Sequence, residues 1–174
     1  MDYAVSAIGR DRPGIVAAIS GALLDLGGNI DDSQMSILHG HFAVMLIVSV
    51  PDSIGQAELE DRLGAVAVQL GMEGISVSSL TGLGPTPGPT HVLTVYGADH
   101  PGIVHAVAEA LAQREANISD LKTRRTGEGE DAVYVMVMEV AVPGDAGGLV
   151  EDLEAVAERS RVEVSLRELE AEAL

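Results

Sequence analysis

Apolar residues recur at helical spacing at Ile15, Ala18, Ile19, Ala22, Leu23 and Leu26, making one continuous face. The same stripe returns at Ile103, Ala106, Val107, Ala110 and Leu111 and stops at Arg114. A second helical face is carried by Leu59, Leu63, Val66 and Leu70, and is echoed by Leu149, Leu153 and Val156. Between these faces lie short β-prone runs at 3–8, 32–38, 41–50 and 75–80, then at 92–96, 118–125, 132–142 and 162–166. The hairpin of the first half turns at His39-Gly40, and that of the second passes through a longer glycine- and acid-rich turn at 126–131. The order predicted is β-α-β-β-α-β, twice. Two one-sided helices covering one face of four short antiparallel strands make an α+β, ferredoxin-like unit.

The repetition extends to identities. Asp11-Arg12-Pro13-Gly14-Ile15-Val16 recurs as Asp99-His100-Pro101-Gly102-Ile103-Val104, and Asn29-Ile30 recurs at the same offset as Asn117-Ile118. Ala18, Ala22 and Leu23 match Ala106, Ala110 and Leu111 in the same register. Identities held in step across a whole element point to a duplication. The segment LGPTPGPT at 83–90 is an extended connector; the flanks of a Pro-rich docking ligand are missing. The expected division is a first domain at 1–82, the linker at 83–90, a second domain at 91–168 and an acidic tail at 169–174.

Composition narrows the function. Hydrophobic residues make up 47% of the 174, enough for a packed core, with one Phe, three Tyr and no Trp to fill it. The net charge of −17 removes the clustered cations that nucleic acid or an anionic membrane surface requires. The absence of cysteine excludes disulfides, thiolate zinc and thiol catalysis, and fits a reducing compartment. No basic stretch precedes an apolar run at the N-terminus, and the longest apolar run, 42–48, is far too short to span a bilayer. The expectation is a soluble cytoplasmic protein with no cofactor.

Chemistry concentrates in the repeated motif. Each copy follows a strand and opens a helix. Proline is tolerated in a first helical turn, glycine admits a ligand close to the backbone, and free N–H groups at a helix start suit a carboxylate. Asp11 and Asp99 either cap their helices or face an ammonium group. A zwitterionic amino acid matches both charges; a well-capped helix start is the plainer reading. Asn29 lies beyond a helix roughly 20 Å long, for about thirteen residues, so it does not reach a ligand held at its own Asp11 loop. It reaches one held by a neighbouring domain, or else it is a turn residue after a helix. Two pseudo-symmetric sites follow, one from Asp11, Arg12 and Gly14 with Asn117, the other from Asp99, His100 and Gly102 with Asn29. Arg12 either offers a fork for a second carboxylate or phosphate or is a solvated loop arginine, the commoner outcome, and His100 offers a ligand carboxylate a donor that works best when protonated.

Strand, Asp-x-Pro-Gly-Ile-Val, helix, then Gly-x-Asn-Ile resembles the ACT domain family across nearly the whole chain. Two such domains with nothing attached are similar to the glycine cleavage system transcriptional repressor group. The resemblance implies side-by-side domains that bind small amino acids through Asp11, Pro13, Gly14, Ile15, Asn29 and Ile30, then Asp99, Pro101, Gly102, Ile103, Asn117 and Ile118. The second copy departs at Ala116, where the first has Gly28; alanine is expected to resist a positive φ there.

Catalytic arrangements are missing: no nucleophile elbow, no phosphate loop and no metal-ligand spacing occurs beyond His39 and His41 at a hairpin tip. His105, five residues after His100, is placed on a different helix face. Met35, Met45, Met72, Met136 and Met138 read as core filler. Two function classes remain. One is a sensor that binds a glycine- or serine-like amino acid and modulates a regulator or enzyme partner, with self-association into a dimer. The other is a constitutive adaptor that senses nothing.

Overall fold

The computed structural model describes residues 1–82, 84, 87–127 and 132–169. Linker residues 83, 85 and 86, turn residues 128–131 and tail residues 170–174 lie outside the described residues. The chain divides into two compact units, Met1–Gly84 and Pro85–Leu174. The first contains β1 (Asp2–Arg10), α1 (Ile15–Asp25), β2 (Asn29–Leu38), β3 (His41–Ser49), α2 (Gln56–Leu70) and β4 (Gly74–Ser79). The second contains β5 (His91–Ala98), α3 (Ile103–Gln113), β6 (Asn117–Thr126), β7 (Val133–Ala141), α4 (Gly147–Ser160) and β8 (Val162–Glu168). Each unit forms one four-stranded sheet, in the orders β2-β3-β1-β4 and β6-β7-β5-β8, and every pairing is antiparallel. The α+β, ferredoxin-like arrangement read from the sequence is the one observed.

Alternation builds the sheets. Along β1, Tyr3, Val5 and Ala7 are buried while Asp2, Ser6 and Arg10 face out, the period of two that a one-sided sheet requires. Phe42, Val44, Leu46 and Val48 do the same on β3. The helices lay down the faces read above: Ile15, Ile19, Ala22 and Leu23 from α1, and Leu59 and Leu63 from α2. The second core is equivalent, with Leu93, Val95, Met136, Met138 and Val140 wholly excluded from solvent. Arg114, where the α3 stripe ends, is the C-cap residue and turns outward; its Nε donates to the Asp152 carboxylate on α4 at 2.7 Å. Arg62 on α2 and Asp25 on α1 form the corresponding ion pair of the first unit.

Two expectations change. Strands β2 and β6 begin earlier than the sequence pattern placed them, because Asn29 pairs with Ser49 and Ile30 with Val48 ahead of a bulge at Asp31. The second unit repeats this, with a bulge at Ser119. The bulge interrupts the alternation, which hides the first residues of each strand from a period-two reading. Met35 and Met45 are not core filler: they are 47% and 54% exposed. Met35 lies on the edge strand β2, and Met45 points out of β3 opposite Ser6. Met136 and Met138 do fill the core. Among the described residues no helix is long and apolar enough to cross a membrane.

Candidate functional site

Each repeated motif makes the same corner. Gly14 sits at φ 97°, ψ −8° and Gly102 at φ 98°, ψ −9°, both as helix N-caps. This left-handed conformation is open to glycine at no steric cost and costs other residues about 1–2 kcal/mol. Nothing lies within 4 Å of a Cβ built on either glycine, so space is left in front of the backbone. Ala18 N–H donates to the Gly14 carbonyl at 2.9 Å, and Ala106 N–H does the same to Gly102. The three N–H groups ahead of each bond have no acceptor within their helix, and no side chain caps either start.

This geometry corrects two details. Pro13 and Pro101 stand before the N-cap, not within the first helical turn, because the left-handed glycine delays the helix by a residue. The carboxylates of Asp11 and Asp99 do not cap. Instead their backbone N–H groups tie the corner to the facing hairpin, Asp11 to the Gly40 carbonyl at 2.9 Å and Asp99 to that of Ala132 at 3.4 Å. Ile15 and Ile103 are core side chains, each 2% exposed, and present only their backbone outward. Ile30 and Ile118 are partly buried and pack on the two cores.

The sheet register puts Asn29 far from its own corner. Arg10 pairs with His41 at one end of the first sheet, while Asp2 and Asn29 both pair with Ser49 at the other. At roughly 3.4 Å per residue, β1 separates the two ends by about 27 Å. Asn29 Nδ2 donates to the Asp31 carboxylate at 2.7 Å, and Ser49 Oγ donates to the same oxygen at 3.3 Å. In the second unit the bulge residue is Ser119, whose hydroxyl instead donates to the Glu139 carbonyl at 3.1 Å, so the bulge offers Asn117 a hydroxyl where Asn29 has a carboxylate. The alanine before Asn117 is no obstacle. The positive φ falls one residue earlier, at Gly27 (71°) and Glu115 (55°). What distinguishes position 28 is closeness: a Cβ there stands 3.0 Å from Val50 Cγ1 and 3.2 Å from the Leu23 carbonyl. The second unit has room, and Ala116 is buried in its core.

The second motif position holds each corner to the far end of the other helix. Arg12 Nη2 donates to the Gln69 carbonyl at 3.4 Å, near the end of α2. His100 Nε2 donates to the Ser160 carbonyl at 2.6 Å, at the end of α4, and its Nδ1 lies 3.1 Å from the Pro101 carbonyl. A helix C-terminus favours a cation. Carbonyl oxygens only accept, so the imidazolium satisfies both contacts and the neutral ring only one. The bonds to Ser160 and Pro101, and more weakly the charge of Asp99, raise the His100 pKa above its ordinary 6.5.

The surroundings of the two corners differ. Asp99 is paired with Arg125 of β6 at 2.9 Å, where β2 carries Ile37 at the corresponding register position. The second corner also borders a hollow of about 490 Å³, walled by Val104, His105, Ala108 and Tyr134 together with His100 and Pro101. His100 and His105 therefore share one surface, because His100 belongs to the loop and helical spacing does not govern the pair. Tyr134 is half-buried, and burial pushes its hydroxyl pKa up. In the first unit the equivalent position, opposite Gly9, is Phe42, which is 2% exposed and part of the core. Sequence reasoning missed Tyr134, Ala108 and Arg125. Tyr134 matches Phe42 only through strand pairing, because the unequal turns shift the sequence offset between them; Ala108 and Arg125 keep the offset of the repeated motif, opposite Ser20 and Ile37, and carried no signal beyond that. No group of three or more His, Cys, Asp or Glu that could hold a metal occurs among the described residues.

Comparison with known proteins follows the same division. Residues 3–76 match one ACT domain model and residues 91–158 a second. A UPF0237 protein of Streptococcus mutans is 34% identical over 73 residues, 42% of this chain and 83% of the relative. Another from Methanopyrus kandleri is 35% identical over 70 residues, 40% of this chain and 78% of the relative. The crystal structure of an unknown protein from Galdieria sulphuraria is 31% identical with a TM-score of 0.79, covering 97% of this chain and 98% of that one. A candidate glycine cleavage system transcriptional repressor gives a TM-score of 0.71 at 18% identity, with 97% of each chain covered; that likeness speaks for the fold alone.

Proposed function

This chain belongs to the ACT domain family, which it carries twice, and from that premise we propose that it is an amino-acid-responsive regulatory protein that acts on a partner protein and catalyses nothing itself. The observation carrying this reading is the recurrence of the corner. Two left-handed glycines with matching angles each open a helix whose first N–H groups lack acceptors, with open space ahead of them. A carboxylate fits the N–H groups, and Asp11 or Asp99 offers a partner to the ammonium. The first ligands to try are glycine, serine and alanine. Asn29 stands at the wrong end of its sheet for its own corner, so each proposed site is confined to its corner: Asp11, Arg12, Pro13, Gly14 and Ile15 in the first unit, and Asp99, His100, Pro101, Gly102 and Ile103 in the second.

Binding shifts the protein between arrangements only by as much as the ligand prefers one of them. The partner proposed is a regulator or enzyme, a transcription regulator included, and self-association is part of the proposal. A specific observation favours the adaptor reading: the edge strand β2 exposes Ile37 and Leu38 at 50% and 67%, and an apolar edge pairs readily with another chain. A thermal-shift screen against the common amino acids separates the two. Stabilisation by free amino acids, growing with their concentration, is expected of the sensor; a flat response across the whole set leaves the adaptor.

A further inference from the structure

We propose that the second corner takes an amino acid with a bulky apolar side chain, of leucine or phenylalanine size, and that the hollow between Val104, Ala108 and Tyr134 receives that side chain. The inference rests on the amino-acid reading above and names the ligand class of one of its two sites.

Size is the first argument. The hollow of about 490 Å³ is open to solvent rather than enclosed, and it offers more room than the side chain of glycine or serine takes. Glycine or serine held at the corner leaves most of it filled with water. Chemistry is the second. The walls next to the corner include the methyls of Val104 and Ala108, the Pro101 ring and the Tyr134 ring; the titratable lining residues are His100, turned to the Ser160 and Pro101 carbonyls, and His105, besides the Tyr134 hydroxyl. An apolar side chain there exchanges wet apolar surface for contact. The carboxylate then lies at the N–H groups of Val104 and His105, on the corner side of the same hollow.

Comparison of the units is the third. The positions equivalent to His100, His105, Ala108 and Tyr134 are Arg12, Ala17, Ser20 and Phe42. Where Ala108 presents a methyl, Ser20 presents a hydroxyl, which donates to the Ala17 carbonyl at 3.3 Å. Where Tyr134 walls the hollow, Phe42 is part of the core. The duplicated corner is shared, and the surface that sorts side chains is not.

Titration calorimetry on the intact chain tests this with glycine, serine, leucine, phenylalanine and glutamate. Leucine or phenylalanine is expected to bind most tightly, and Ala108→Leu, which fills the hollow, to weaken that binding about tenfold or more while leaving the unliganded melting temperature near that of the parent. Ala108→Met fills the same space with a more flexible side chain and serves if the leucine variant does not fold. Preference for glycine, serine or glutamate overturns the inference and leaves the sensor reading standing. So does leucine binding that both Ala108 variants leave unchanged. No heat from any of the five overturns both.

Discussion

The two units share a backbone plan and differ in what surrounds one corner of it. Gly14 and Gly102 agree to a degree in both dihedrals. Strand order, the bulge after Asn-Ile and the buried helix faces also coincide. Against that constancy, Arg12 becomes His100, an Asp11 without an ion pair among the described residues becomes an Asp99 paired with Arg125, and a core Phe42 becomes a Tyr134 that walls a hollow. Duplication retained what backbone geometry demands, and let vary the side chains that decide what touches the corner and at which pH.

The comparison can be broken at several depths. The largest effect is expected in the shared cores. Leu63 is fully buried and Leu153 is 2% exposed; replacing either by Ala costs about 2–5 kcal/mol through lost transfer energy and a cavity, read from urea unfolding. A cost in one unit and none in the other contradicts their equivalence. Next come the corners. Gly14→Ala and Gly102→Ala are each expected to cost about 1–2 kcal/mol, since φ is positive and no neighbour crowds the new methyl. Because the angles match, the two costs are expected to match, and the same denaturation series checks this.

A smaller effect separates the units by pH. The His100 pKa is raised on folding, chiefly by its bond to the Ser160 carbonyl. Its contribution is therefore fully present below the ordinary value of 6.5 and is lost as pH rises through the higher folded value. Arg12 keeps its charge throughout and contributes no such dependence. Unfolding midpoints measured at pH about 5.5 and about 8.5 are expected to converge in His100→Arg, and Arg12→His is expected to add a dependence the parent lacks. The smallest effect belongs to Arg125. Its pair with Asp99 is 55% and 34% exposed, so Arg125→Ala is expected to change stability by less than about 1 kcal/mol. Its consequence is chemical, releasing Asp99 to resemble Asp11, and ammonium-dependent binding at the second corner is expected to tighten.

The fold was legible because every helix is one-sided and the chain states its plan twice. Ile15, Ile19, Ala22 and Leu23 are the α1 face in both sequence and structure. The strand starts at Asn29 and Asn117 were not legible, since a bulge shifts the alternation directly after them. The exposure of Met35 was missed for a related reason: its hydrophobic character implies burial, but β2 is an edge strand. The corner was legible as a motif, though not its conformation. Pro-Gly suggests a helix start, and only the φ of Gly14 shows that the proline precedes it. Ala116 meets no strain because the positive φ falls one residue earlier, at Glu115, a position the sequence pattern does not mark. Tyr134 was invisible because its match to Phe42 follows from β7 and β3 holding the same place in their separate sheets, which is a tertiary fact. The partners of Arg12 and His100 lie on helix ends 57 and 60 residues away, beyond any local pattern.

The account stands on amide groups at two glycine corners gripping a free amino acid. Backbone amide shifts of the isotopically labelled chain, followed by NMR during titration with glycine, serine and leucine in turn, test that claim at the atoms concerned. The result expected is saturable displacement centred on residues 14–17, residues 102–105, or both. Displacement confined to other parts of the chain, or none with any of the three, contradicts it.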